Sequence, residues 1–236
     1  YSESGFASTD QSNDTPTNNL PVWDGLDTVG SATPTLSEGN LRFTGADNGG
    51  RVLTFPFTRG KWYWEVDVVD AGASFYIGFA TPAGIAFSSA TPWNNNAGSF
   101  IAAPTAGHFL GTNGSGTTNL VNNFTAYIGD GDRLAVAFDA DNKFAYFGEV
   151  GSGGSGSSLS FVGQANATGD PTSGAKGTGA APFGLNILDS RVFYHIMLAG
   201  GTDVIGQWIF DPAGFNGTPP TGYSALSQDN LDAGSS

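Results

Sequence analysis

The sequence of 236 residues has no cysteine, few basic residues and no long apolar run. Because cysteine is absent, a disulfide framework and thiolate chemistry are excluded. The eight lysines and arginines are scattered among 21 acidic residues, which leaves a formal net charge of −13. Since phosphate binding needs clustered basic residues, we expect no nucleic-acid partner and no binding to an anionic membrane surface. The short apolar runs also predict no membrane insertion.

Helix-forming patterns, methionine and histidine are scarce as well. No window keeps apolar residues three or four positions apart over several turns, so helices are not expected. The single methionine is Met197, and the sequence begins at Tyr1 without a signal-peptide pattern, so we expect a processed chain or a module of a longer protein. The two histidines, His108 and His195, fit no paired-ligand or Ser-His-Asp spacing. We expect His195 to lie in a strand with its ring hydrogen-bonded.

What the sequence does contain is typical of an all-β protein. Its 36 glycines and many polar turn residues separate short runs that are rich in aromatic and β-branched residues. These runs predict two packed antiparallel sheets, a β-sandwich. The predicted strands are 41–44, 52–57, 62–69, 75–80, 99–102, 133–138, 143–147, 159–162, 183–188, 192–198 and 204–210, and the predicted long loops are 83–98, 112–123 and 151–179. We expect a polar arm or linker over 1–19, the sandwich domain over 20–226 and a polar tail over 227–236.

One predicted strand is distinguished by three consecutive aromatic residues. Trp62, Tyr63 and Trp64 follow a glycine and a lysine and lead into an alternating stretch that ends at Asp70. Such alternation indicates a strand with one buried face. We expect the Trp62-Tyr63-Trp64 face to fill the space between the two sheets.

Four landmarks follow one another along the chain: 60–66 (GKWYWEV), 75–80 (FYIGFA), 127–139 (YIGDGDRLAVAFD) and 206–226, which includes PPTGYSAL. In this order they resemble the SPRY family, whose members are concanavalin-like β-sandwiches. The resemblance covers about 41–226, or 18–226 at its widest. It departs from the family pattern at 204–207 and in the long 151–179 segment.

Two of the landmark regions predict how strands pair: one predicts a hairpin and the other predicts where the sheet pairing ends. We expect 143–147 to pair back on 133–138 across the turn at 139–142, as a hairpin. Pro219-Pro220 is expected to end the sheet pairing, because proline cannot donate to a ladder.

Within the family, the sequence is most similar to modules of phage virion proteins, especially those of marine phages. Such modules open with an Asn-Asn segment near a Leu-Asp pair and close with Pro-Pro-Thr-Gly-aromatic, Leu and Asn-Leu. The matching residues here are Asn18-Asn19, Leu26-Asp27, Pro219 to Tyr223, Leu226 and Asn230-Leu231.

The resemblance implies a non-enzymatic virion surface module, of a tail fibre, head fibre or capsid decoration, that attaches to a host-surface glycan or protein. Its implied partners are other virion proteins and further copies of itself, with no cofactor, and its implied location is the virion surface or the extracellular space. Three alternatives remain open: a purely structural virion or filament subunit, a glycoside hydrolase of concanavalin-like fold and a secreted bacterial adhesin.

The loop residues Trp93, Asn94, Asn95 and Asn96 are the candidate binding site. An exposed tryptophan can stack on a sugar ring while neighbouring amides hydrogen-bond its hydroxyls. The alternative is that Trp93 folds inward and anchors its own loop.

Glu65, Asp67 and Asp70 partly imitate the carboxylate row of a retaining glycosidase, which needs two carboxylates about 5–5.5 Å apart. On a regular strand Glu65 and Asp67 share a face, whereas Asp70 falls on the other face unless a bulge intervenes. We therefore interpret them as ordinary strand residues and predict no catalytic residue.

A second acidic group has the residue types of a calcium site, since calcium prefers oxygen ligands. Its members are Asp130, Asp132, Asp139, Asp141 and Asn142. No twelve-residue ligand loop with a closing Glu is present, and Asp and Asn are also what tight turns require. We predict turns here and no metal.

Overall fold

A computed structural model describes residues 19–72, 75–80, 99–103, 108–112, 117–122, 129–142, 144–150, 159–162, 170–174, 193–227 and 230. These residues form two packed β-sheets, so the predicted all-β sandwich is confirmed. The described residues contain one short 3₁₀ turn, Pro212–Gly214, and no helix long and apolar enough to cross a membrane.

The first sheet has seven antiparallel strands. In spatial order they are β1 (Trp23–Gly30), β4 (Gly49–Phe57), β13 (Phe193–Ala199), β6 (Phe75–Ala80), β7 (Ser99–Ala103), β8 (His108–Thr112) and β9 (Thr117–Asn122).

The second sheet has eight strands and β5 near its centre. In spatial order seven of them are β12 (Leu159–Val162), β11 (Phe144–Val150), β10 (Arg133–Asp139), β5 (Lys61–Asp70), β14 (Ile205–Ile209), β3 (Arg42–Thr44) and β2 (Thr35–Ser37). The eighth strand, β15 (Ser224–Ala225), pairs in parallel with the start of β5. The hairpin predicted across residues 139–142 is confirmed as the antiparallel pair of β10 and β11.

Aromatic side chains fill the space between the sheets. Trp64 and Phe138 from the second sheet meet Phe57 and Phe79 from the first, and the Phe79 and Phe138 rings stack with their centroids 4.0 Å apart. All four side chains are fully buried. Burial of a large aromatic side chain contributes a few kcal/mol, about 1.5–3 for phenylalanine. These contacts explain why the aromatic run lies on a central strand.

Tyr63 is an exception to the predicted role of the aromatic run. Because side chains alternate along a strand, Trp62 and Trp64 share one face and Tyr63 points to the other. Its hydroxyl donates to Glu65, and its ring meets Phe215 with the centroids 5.1 Å apart. The expectation that all three aromatics fill the gap between the sheets is therefore wrong for Tyr63, which is buried on the outer face of the second sheet.

The strand assignments differ from the prediction mainly in polar segments. The predicted loop 112–123 contains β9, and β1, β2 and β8 were not predicted. β9 has the sequence TTNLVN, which has little apolar alternation, and it is held by its ladder with β8. The predicted loop 83–98 and strand 183–188 lie outside the described residues.

Pro219-Pro220 does not end the sheet pairing, because Ser224 and Ala225 still pair with Trp62 and Tyr63. The chain leaves β14 at Phe210, crosses the outer face of the second sheet and returns to β5. We name residues 210–223 the C-terminal strap.

Candidate functional site

Glu65, on the central strand β5, lies under the C-terminal strap. Glu65 is fully buried and accepts four hydrogen bonds: from the Tyr63 hydroxyl at 2.7 Å, the Gly217 N–H at 2.7 Å, the Asn216 N–H at 2.9 Å and Arg133 Nη1 at 3.1 Å. Each carboxylate oxygen therefore accepts two hydrogen bonds from the chain itself. Glu65 lines no open cleft.

Arg133 links Glu65 to the more exposed Asp67. Its Nε and Nη2 donate to the two carboxylate oxygens of Asp67, Nη2 at 3.0 Å, and its Nη1 also donates to the Gly214 carbonyl at 2.8 Å. Burial alone would lower the pKa of Arg133, but hydrogen bonds and charge from Asp67 and Glu65 raise it above its ordinary value. The guanidinium therefore stays charged and ties the strap to the sheet.

Tyr63 completes this polar cluster. Burial, and then the hydrogen bond and charge of Glu65, raise the pKa of the Tyr63 hydroxyl above its ordinary value. The hydroxyl therefore remains a proton donor to Glu65 at any physiological pH. The group holds the strap in place, and its carboxylates are engaged within the chain.

Glu65 and Asp67 share a face, as predicted, because both contact Arg133. Asp70 has a different role, since its Oδ1 accepts the Gly72 N–H at 2.8 Å and so caps the turn that follows the strand. The interpretation of the three as strand residues agrees with these contacts.

The second acidic group occupies turns, as predicted. Its carboxylate oxygens accept backbone N–H groups at 2.7–3.0 Å, Asp130 from Ala71, Asp132 from Gly129, Asp139 from Asn142 and Asp141 from Gly60. Within the described ranges, no three His, Asp or Glu side chains are grouped in a way that could hold a metal ion. Lys61 Nζ lies 3.3 Å from the second carboxylate oxygen of Asp139.

His195 lies in β13 with both ring nitrogens engaged, as predicted. Nδ1 lies 2.9 Å from the Gly78 carbonyl oxygen, and Nε2 lies 3.1 Å from the indole nitrogen of Trp208. Because the indole N–H can only donate, Nε2 must accept and Nδ1 must carry the proton. Burial lowers the pKa of His195 to about 3, although the Gly78 carbonyl opposes this shift. The ring is thus a neutral core residue. The other histidine, His108, begins β8.

The predicted binding residues Trp93, Asn94, Asn95 and Asn96 lie outside the described residues, as does most of the predicted arm 1–19.

Leu26 is a surface feature that sequence reasoning missed. It is 93% exposed, and the other exposed large apolar residue of the described ranges, Val69, is 40% exposed. The sequence does mark Leu26 as half of a Leu-Asp pair, but a leucine in a strand is ordinarily assumed to be buried.

Comparison with known proteins supports the architecture. No family model and no curated protein matches the sequence. Among solved structures, the chain is similar to the SPRY domain of human HERC1, with a TM-score of 0.51 and 10% identity over 79% of this chain and 96% of that one. It is also similar to the PSpry domain of TRIM65, with a TM-score of 0.53 and 13% identity over 82% of this chain and 90% of that one. At these identities the similarity establishes the fold: the chain is a SPRY-like β-sandwich.

Proposed function

We propose that the chain is a non-enzymatic interaction module on the surface of a phage virion, where it attaches to a host-surface glycan or protein. The observation that carries the proposal is that, among the side chains the structure describes, Glu65 and His195 could act as acid or base but have their polar atoms engaged inside the fold. What the described surface offers to other molecules is therefore shape, charge and an exposed leucine. SPRY-like domains are in general protein-interaction modules, which agrees with attachment.

The virion location rests on the resemblance to phage modules. Loops on a rigid sandwich are a common place for binding residues, and Trp93, Asn94, Asn95 and Asn96 are our candidates for glycan contact. Residues 1–19 would join the module to other virion proteins or to sister copies. Several copies on one particle would raise avidity well above the affinity of one module.

Two measurements test the location and the attachment separately. Antibodies against the chain are applied to purified phage particles from its source and followed by immunogold electron microscopy. We expect gold on a fibre or on the capsid. Gold absent from particles, with the chain found only inside cells, would overturn the virion proposal.

Attachment is tested with the fluorescently labelled chain on a glycan array and on a panel of candidate host bacteria. We expect binding that Trp93→Ala or Asn95→Ala reduces at least tenfold, whereas the surface control Val69→Ser binds like wild type. Thermal unfolding of each variant excludes misfolding as the cause. If particles are gold-labelled but the chain binds neither glycans nor cells, host attachment is refuted and the chain is a purely structural virion subunit.

A further inference from the structure

Strand β1, at the edge of the first sheet, carries an insertion. Trp23 pairs with Leu53 and Thr28 pairs with Arg51, so the four residues 24–27 stand opposite Val52 alone. We name residues 24–27 the β1 bulge. Bulges are common at sheet edges, where they turn a side chain in a new direction. Here the bulge presents Leu26, which is 93% exposed.

The β1 bulge is held by hydrogen bonds at its base. Asp24 Oδ1 accepts the N–H groups of Leu26 at 2.7 Å and Asp27 at 3.3 Å, which closes an Asx turn. Arg51 Nη1 donates to the Gly25 carbonyl at 3.0 Å and to Thr28 Oγ1 at 3.2 Å. The leucine therefore stands on a fixed backbone.

Arg51 is an unusual anchor for a surface turn. Its side chain is 5% exposed, its Nη2 donates to the Pro34 carbonyl at 3.0 Å, and no carboxylate among the described residues forms an ion pair with it. Burying an arginine against neutral acceptors, without a carboxylate partner, is costly. A bulge and its charged side chains would be enough to keep the edge strand from pairing with another chain. The buried bracing by Arg51 therefore calls for another explanation.

Resting on the proposed attachment function, we propose that the β1 bulge is a docking point for a protein partner. Leu26 enters an apolar pocket of that partner, and Lys or Arg side chains at the pocket rim face Asp24 and Asp27. Charge complementarity identifies this occupant: the aspartates flank the leucine, and the chain has a net charge of −13. At the β1 bulge, a second copy docking through the same face or an anionic lipid surface would place like charges together and be repelled. A preformed turn also lowers the entropic cost of binding.

The probe is a yeast-displayed library of three-helix domains, randomised along the groove between two helices and selected on the intact wild-type chain. We expect most selected domains to carry Lys or Arg beside an apolar groove. Leu26→Ser should weaken their binding about 10- to 100-fold, the factor that corresponds to the free energy of burying one leucine side chain. Asp27→Asn should weaken it by a few-fold, and less at high salt. The matched control Val69→Ser, at the other exposed aliphatic residue, should leave it unchanged.

The proposal is overturned if the selected domains bind the Leu26→Ser variant as tightly as wild type, or if they depend on Val69 instead. It is also overturned by Leu26-dependent self-association in sedimentation equilibrium, or by Leu26-dependent binding to phosphatidylcholine–phosphatidylglycerol vesicles. Failure of the docking point can be distinguished from failure of the attachment function. Host binding that survives Leu26→Ser refutes the docking point alone, whereas Leu26-dependent domains without any host binding refute attachment alone.

Discussion

His195 makes the stability of the fold depend on pH above about 5, where carboxylates with ordinary pKa values are already ionised. Its ring is fully buried, and its nearest ring neighbours include Trp23, Trp64 and Phe79. Protonation would place a hydrogen on Nε2, which has none in the neutral ring, directly against the indole N–H of Trp208. The protonated ring therefore loses a hydrogen bond and brings a charge into an aromatic core.

The size of the effect follows from linkage. The pKa of His195 is about 3 in the folded chain, against an ordinary value of 6.5. Between these two values the unfolded chain binds a proton that the folded chain does not, so stability is complete above pH 6.5 and falls as the pH falls toward 3. From pH 7.5 to pH 5.0 this single group should reduce the free energy of unfolding by about 2 kcal/mol.

The measurement is urea unfolding at half-unit pH intervals from 7.5 to 5.0, for wild type and for His195→Gln. Glutamine can still accept from Trp208 but does not titrate. The variant will be less stable at pH 7.5, since the amide does not reproduce the ring packing. The test is the slope: wild type should lose about 2 kcal/mol over this range and His195→Gln much less. Parallel pH profiles for the two proteins would refute the reasoning.

Three further predictions concern the core and the strap, each measured as the free energy of unfolding in urea. Glu65→Gln should cost about 3–5 kcal/mol, because it leaves the charge of Arg133 partly uncompensated and turns an amide toward N–H donors. The matched change Asp67→Asn, at a side chain that is 39% exposed, should cost no more than about 1 kcal/mol. Equal losses would contradict the assignment of Glu65 as the anchor of the strap. Gly217→Ala should cost about 1–3 kcal/mol, since the added Cβ would lie 2.7 Å from the Tyr63 hydroxyl oxygen. Its control is Gly129→Ala, where the atom nearest to the added Cβ is 3.8 Å away and the loss of stability should stay within about 0.5 kcal/mol. If Gly217→Ala left the free energy of unfolding unchanged, the strap would not lie close on β5. Trp208→Phe should cost about 1–3 kcal/mol, in addition to the loss of ring packing, because it leaves His195 Nε2 without its hydrogen-bond donor. A variant as stable as wild type would show that this hydrogen bond is dispensable.

The sequence predicted those parts of the fold whose residues follow a local pattern. Aromatic and β-branched alternation marks β5, β6 and β10, and the Asp- and Asn-rich segment 139–142 marks the hairpin turn, because these signals lie within a few residues of each other. The SPRY-like fold followed from the order of such segments.

Other features depend on contacts between residues that are distant in sequence, and no local pattern marks them. Tyr63 is buried on the outer face of the second sheet because the C-terminal strap, including Phe215, packs against it. Strand β15 and the polar strand β9 exist through their ladder partners. The exposure of Leu26 depends on Arg51, a residue 26 positions away from the carbonyl of Gly25 that it holds.

The strap also constrains the order in which the chain can fold. Glu65 receives its Gly217 hydrogen bond from a residue 152 positions later in the chain. While the protein is being synthesised, the central strand β5 therefore emerges long before the groups that satisfy its buried carboxylate. Contacts over such separations slow folding, because the loop must close before the contact stabilises anything. We expect the sandwich to reach its native state only after the strap has left the ribosome.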